Sequence, residues 1–248
     1  MDKHIIFDHL IKTNQQVGCL NNSKVTTGQD TSIITGYPSP VFNLVRFDTK
    51  NHIKINKLKS ENIPFMCLPS KEIEEDFEIF AQEEGLIKID FVMASIFKDL
   101  QNWKFVSNTF VEIRCVENAD DLLAFDKVTS AVFSHQEKLA FNFLNPVLKH
   151  SKIRLFLASL NEQPVGCAML SLVNNQAGLY WIGVLADFRK QGIGRALVEY
   201  RMNIAKELGC KTVIAQNMTP SLNLYKNLGF EQMGGLPLYL CDKQFFIF

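Results

Sequence analysis

Apolar residues recur along this chain with two alternating periods. Near the start, Ile5, Ile6, Leu10 and Ile11 fall at helical spacing. A turn-rich stretch follows over residues 18–36. Beyond it the pattern predicts strands at 42–47, 64–68 and 87–92, separated by helices at 52–62 and 71–84. Gly85 stands where the second helix should end, since glycine enters the left-handed conformation of a helix cap without a Cβ clash. The many glutamates of 71–84 are expected on one solvated helix face. Strand–helix alternation of this kind implies an α/β arrangement.

The second half repeats the logic with clearer signals. Residues 110–116 alternate as a strand does, and 119–134 have helical spacing, with Asn118 as a candidate N-cap. Apolar runs at 153–160 and 164–173 are joined by Asn161-Glu162-Gln163, a hairpin-like turn. A second turn, 174–178, leads to a third run at 179–185. Three antiparallel strands thus run into a glycine-containing turn, Ala186 to Arg195. Ile193, Ala196, Leu197, Tyr200, Ile204 and Leu208 then mark a long amphipathic helix.

Composition narrows the function classes. The 248 residues hold 26 basic and 26 acidic side chains, so the formal charge is zero. A polyanion binder normally has a basic excess, so no nucleic-acid partner is expected. No run of eighteen apolar residues predicts a membrane-spanning helix, and no membrane partner is expected. The start has acids within its short apolar segment and no small-residue cleavage site. It does not read as a signal peptide, and a cytoplasmic location is expected. Cys19, Cys67, Cys115, Cys167, Cys210 and Cys241 form no CxxC pair, so they read as free thiols, most of them buried. His4 and His9 have no third ligand at useful spacing, and no metal is expected.

The turn before the long helix carries the chemistry. The first amides of a helix lack intrahelical partners and bear partial positive charge. Gly192 and Gly194 let the backbone curl so that several amides converge on one guest, and the natural guest is a phosphate or diphosphate. Arg189, Lys190 and Arg195 add full charges nearby. A GxxxxGK[ST] loop is absent, and the dinucleotide pattern GxGxxG lacks its third glycine.

Arg189-x-x-Gly192-x-Gly194 resembles the Arg/Gln-x-x-Gly-x-Gly/Ala signature of the GNAT superfamily of acyl-CoA-dependent N-acetyltransferases. The run Ser221-Leu222-Asn223-Leu224-Tyr225-Lys226-Asn227-Leu228-Gly229-Phe230 resembles the family's second signature, and the predicted strand 212–216 lies between the two. The resemblance covers about residues 110–240. It departs at Ala186, where the family often has proline. It departs again at Asn217, which lies eight residues before Tyr225 rather than seven, the seventh being Met218. The first half, with Gly36-Tyr37-Pro38-Ser39-Pro40-Val41-Phe42-Asn43, Ile63-Pro64-Phe65 and Glu84-Gly85-Leu86, is similar to proteins in which a degenerate GNAT-like half precedes an active one. It has no Arg-x-x-Gly-x-Gly.

The resemblance implies an acyl-CoA N-acyltransferase fold, mixed α and β with a mostly antiparallel sheet, as tandem GNAT-like domains at 1–106 and 107–248. It implies acetyl-CoA as co-substrate and a small-molecule or peptide amine as acceptor, acetylated by direct attack. Cofactor contacts fall on Ile182, Gly183 and Val184, on Arg189, Lys190, Gln191, Gly192, Ile193, Gly194 and Arg195, and on Asn217, Ser221 and Asn223. Tyr225 matches the acid that protonates the leaving thiolate. The acceptor amine must also lose a proton, and Asp126, His135, Glu137, Tyr180 or a water chain are open choices. His135 reads as a surface histidine. Two other readings stand beside this one: a non-catalytic acyl-CoA-binding regulatory module, and a dinucleotide-binding oxidoreductase.

Overall fold

The computed structural model describes residues 2–20, 23–28, 30–105 and 110–241. The expected domain boundary between 106 and 107 lies outside the described residues. The chain divides into two compact units. Unit 1 holds residues 1–94, 217–220 and 233–248; unit 2 holds 95–216 and 221–232.

Unit 1 begins with α1 (Lys3–Leu20), which buries Ile6, Phe7, Ile11 and Val17. Strands β1 (Lys24–Thr26), β2 (Asp30–Ile34) and β3 (Leu44–Phe47) follow. They pair antiparallel in turn, Val25 with Ile33 and Ser32 with Val45. Helix α2 (His52–Ser60) then crosses to β4 (Phe65–Pro69), which is parallel to β3 with Val45 opposite Cys67. Helix α3 (Phe77–Glu83) leads to β5 (Ile87–Phe97), whose last three residues belong to unit 2. Phe47, Phe65, Phe77, Phe80 and Tyr239 join in one core cluster.

Two expectations fail here for a physical reason. The stretch 18–36 holds β1 and β2 rather than turns alone. All five residues of β2 are buried, three of them polar, so the strand shows no alternation of apolar and polar positions. The Asp30 carboxylate accepts from the backbone N–H groups of Asp48 and Thr49 and from Asn51. The helix expected at 71–84 forms only over 77–83. Before it, Glu74 pairs with Lys3 and His4, and Glu72 accepts from Ser70. Glu74 ties down α1, while Glu72, Glu75, Glu78 and Glu83 are exposed to solvent as expected.

Unit 2 contains β6 (Glu112–Cys115), α4 (Ala119–Phe133), α5 (Leu139–Leu144), β7 (Ile153–Leu160), β8 (Gln163–Val173), β9 (Gln176–Val184), α6 (Ile193–Glu207), β10 (Thr212–Asn217, its last residue belonging to unit 1) and α7 (Leu222–Asn227). Strands β6 to β9 are antiparallel in sequence order, and β10 is parallel to β9. Asn161 and Glu162 both have positive φ, as do Asn174 and Asn175. Each pair makes a two-residue turn of the kind whose twist matches the strands it joins. The Asn118 side chain accepts from the Asp121 amide, as an N-cap should. Val198, Met202 and Ala205 of α6 meet Leu170, Leu179 and Tyr225 in the core. Helix α5 has no counterpart among the expected elements.

The last strand, β11 (Glu231–Cys241), follows α7, yet from Met233 onward it belongs to unit 1. There it pairs antiparallel with β4, Tyr239 opposite Cys67.

Candidate active site

The glycine turn lies where the sequence places it. Lys190 and Gly192 both have positive φ, +61° and +85°, and so fold the chain back into α6. The first helical bond outside the turn runs from the Ala196 amide to the Gly192 carbonyl. The amides up to Arg195 therefore precede the helical ladder. Among the described residues no side chain caps this terminus, and Lys190, Gln191, Gly192 and Arg195 are exposed. Arg189 donates through Nε to the Val184 carbonyl at 3.0 Å, and Gln191 to the Asp187 carbonyl at 3.2 Å. Arg195 pairs with Glu199, one helical turn on. An anionic diphosphate fits such a terminus: among the described residues no side chain caps its free amides, and Arg189, Lys190 and Arg195 are its neighbours in sequence.

The strand feeding this turn is irregular in a useful way. Strands β9 and β10 are paired only as far as Leu179 and Ala215. Beyond that level β9 stays paired with β8 alone, Gly183 opposite Cys167. Between Tyr180 and Gly183 the β8–β9 register shifts, and Trp181 takes φ +51°. A β-bulge of this kind re-aims backbone groups locally. Ile182, Gly183 and Val184 thus form a stretch of β9 with no β10 partner in the ladder. Gly183 is required by packing: a Cβ there would lie 2.6 Å from the Val132 Cγ1 on α4. The Cys167 thiol contacts the Trp181 carbonyl, and burial pushes that thiol up to about 12.

Tyr225 sits on α7 and is buried, its ring edge-on to Phe230 with centroids 5.1 Å apart. Leu224, beside it, comes within 3.7 Å of the Cβ position on Gly194, so α7 and the glycine turn adjoin. Burial raises the Tyr225 phenol above its ordinary range, while the nearby charge of Arg201 pulls the other way. Sequence reasoning missed Arg201 altogether. It is 0% exposed, and its helical position looks like any other core position of α6.

The other expected residues are spread around this centre. Ser221 is half-buried, Asn223 exposed and Asn217 buried at the end of β10. Asp126 is buried, and its two carboxylate oxygens accept from the backbone N–H groups of Lys138 and Phe141. That carboxylate holds the entry to α5. Thr129 and Ser130 donate to backbone carbonyls of α4 on the same helix. His135, expected at the surface, is 7% exposed, with Nδ1 3.0 Å from the Gln136 carbonyl. It is folded inward because the left-handed Ser134 turns the chain back at the end of α4. Glu137 is exposed and Tyr180 buried. Unit 1 has a cavity of 490 Å³ beside Phe7, Arg46 and Ser70. There Arg46 is paired with Asp8 and Asp48. Among the described residues no helix is long and apolar enough to cross a membrane.

Residues 119–230, from α4 to the end of the second signature, match the model of the acetyltransferase (GNAT) family. They are a GNAT acetyltransferase domain. An N-alpha-acetyltransferase of Sulfurisphaera tokodaii is 27% identical over 124 residues, covering 44% of this chain and 74% of that protein. The ribosomal protein bS18-alanine N-acetyltransferase of Escherichia coli is 29% identical over 80 residues, covering 31% of this chain and 54% of its own. Among solved structures, a GCN5-related N-acetyltransferase from Kribbella flavida superposes with a TM-score of 0.68 at 12% identity, covering 94% of each chain. The GNAT domain is that of an acetyl-CoA-dependent acyltransferase, and the fold is the expected mixture of helices with a mostly antiparallel sheet.

Proposed function

We propose that this protein transfers an acetyl group from acetyl-CoA to a primary amine by direct attack, with no acyl-enzyme intermediate. The observation that carries the reading is the uncapped N-terminus of α6 standing beside the level at which β9 leaves β10. Acetyl-CoA supplies an activated thioester when bound. The amides of the 191–195 turn, with Arg189 and Lys190, hold its diphosphate. The backbone N–H groups of the β9 stretch 182–184, which has no β10 partner in the ladder, orient the thioester and receive the charge that develops on its carbonyl oxygen. The acceptor nitrogen bonds to the acetyl carbon, the carbon–sulfur bond breaks, and the Tyr225 hydroxyl gives its proton to the departing sulfur. The ammonium formed on the acceptor loses its proton to water or to a base. Ser221 and Asn223, opening α7, complete the cofactor side.

Unit 1 reads as a degenerate GNAT-like half. Its order of antiparallel β1–β2–β3, helix α2, parallel β4, helix α3 and β5 repeats the order β7–β8–β9, α6, β10, α7 and β11. It lacks the glycine signature, so the cofactor contacts are assigned to unit 2 alone. The acceptor is a small-molecule or peptide amine. The two named relatives, which act on an N-alpha amine and on an alanine, support the amine class.

Incubation with radiolabelled acetyl-CoA and a panel of amines should label at least one amine. If coenzyme A binds and no amine is labelled, the second reading, a non-catalytic acyl-CoA-binding module, replaces this one. The engagement of both Asp126 oxygens by backbone amides favours that second reading, since it withdraws one candidate base.

A further inference from the structure

Arg201 is the largest fully buried side chain among the described residues, and it forms no salt bridge among them. A guanidinium is rarely fully buried unless it is paired with an acid. Here its hydrogen-bond partners are three backbone carbonyls, and Nη2 has none among the described residues. Nε donates to the Leu197 carbonyl at 2.9 Å, and Nη1 donates to the carbonyls of Met169 at 2.8 Å and Tyr180 at 3.2 Å. Met169 and Tyr180 are cross-strand partners, the last regular pair of β8 and β9 before the bulge at Trp181. Tyr180 is also the first β9 residue beyond the ladder with β10. The Tyr225 phenol lies near enough for its titration to respond to the Arg201 charge.

A leucine or methionine of similar bulk would avoid desolvating a charge but would remove the donor that the Met169 and Tyr180 carbonyls share. The arginine thus ties the end of the β9–β10 ladder to α6. We propose that Arg201 is a positioning residue for acyl transfer: its guanidinium fixes the β9 backbone at the level where that strand leaves β10 and sets a positive charge near the Tyr225 hydroxyl. The proposal rests on the acyl-transfer reading above. It joins the two parts that must act together, the strand that orients the thioester and the phenol that protonates its sulfur. The positive charge also favours the ionised phenol against the effect of burial, and so eases proton release.

The test compares the wild-type protein with Arg201→Met and Arg201→Lys, reading coenzyme A affinity, kcat, KM and the alkaline limb of kcat. Arg201→Met should lower Tm, because buried carbonyls lose their donor, yet keep its affinity for coenzyme A, because the glycine turn is untouched. Its kcat should fall by about ten-fold or more while the amine KM stays near wild type. Its alkaline limb should move to higher pH by about one unit or more, because the phenol loses a neighbouring cation. Arg201→Lys, which keeps the charge, should return the limb towards wild type. Should the methionine variant not fold, Arg201→Gln removes the charge, retains an amide donor, and carries the same reading of the limb. A variant that has lost the charge but keeps wild-type kcat per folded molecule and an unmoved limb overturns the proposal. A wild-type protein that labels no amine overturns the acyl-transfer reading itself, so the two failures are distinct.

Discussion

Arg201 Nη1 and the carbonyl oxygen of Tyr180 are 3.2 Å apart, one residue past the last pair that β9 makes with β10. A helix side chain therefore takes up a backbone acceptor at the level where the ladder between these strands has ended. Sheets usually end in loops or water. Ending this one on a buried cation keeps the departing strand rigid, as a site that must hold a thioester in register requires.

The glycine turn makes separable demands at its two glycines. Gly192 has φ +85°, so Gly192→Ala forces a side chain into the left-handed region at a cost of about 1–2 kcal/mol. Its Tm should fall. Gly194 has ordinary backbone angles, and a Cβ there meets only Leu224 at 3.7 Å and Val184 at 4.0 Å. Gly194→Ala should keep both Tm and coenzyme A affinity, whereas Gly194→Val should raise Kd by about ten-fold because a branched Cβ stands among the amides. Arg189→Ala should weaken binding less than Gly194→Val, since the backbone donors remain. Titration calorimetry with coenzyme A checks all three, and an unaltered Kd in Gly194→Val refutes the cradle.

Gly183 sets how closely α4 approaches β9. Gly183→Ala puts a methyl 2.6 Å from Val132 Cγ1 and should destabilise the protein by about 1–3 kcal/mol, as overpacking does. Val132→Ala should relieve part of that loss when combined with it, giving a favourable coupling in a double-mutant cycle. Strict additivity by chemical denaturation would show that the contact does not limit packing.

Asp126 should matter to order rather than to proton transfer. Asp126→Ala leaves the buried N–H groups of Lys138 and Phe141 without their acceptor, at a cost of about 1–3 kcal/mol. Hydrogen exchange at these two amides should speed up well before that of α4. Exchange unchanged at both positions would dismiss the capping role.

Cys167 predicts part of the alkaline stability profile. Burial lifts its thiol from an ordinary value of 9.0 to about 12. The folded state thus keeps a proton that the unfolded chain releases. The stabilisation is complete below pH 9 and declines as pH rises through 12. Cys167→Ala should flatten denaturant midpoints across that range. In the native protein a thiol reagent should modify exposed Cys19 and spare Cys167; modification of Cys167 at the same rate as Cys19 would contradict its burial.

Sequence periodicity located most of unit 2, and the reasons are visible. Its strands are long, its hairpin turns carry asparagine at left-handed positions, and its helices begin at Asn118 and Gly192. Unit 1 was less legible where side chains serve tertiary contacts. Asp30, Thr31 and Ser32 are buried by a local hydrogen-bond network, and Glu74 leaves the expected α3 to pair with Lys3 and His4. At the site, both signatures stood in the letters because glycine and tyrosine are chemically distinctive there. Arg201 did not, because a charged residue at a core spacing reads as surface until its acceptors are known. Helix α5 was hidden for a similar reason: its start depends on a carboxylate from α4, twelve residues before Lys138.

The placement of β11 bears on how the chain can be made and divided. The partner of β4 is synthesised only after every strand of unit 2, and Tyr239 brings the final aromatic ring to the unit 1 cluster. During translation the free margin of β4 must wait, open to wrong partners, until that late segment arrives. A protease cut anywhere in the middle of the chain therefore cannot yield two self-sufficient halves. The fragment ending there would lack its closing strand, and the remainder would carry an orphan one.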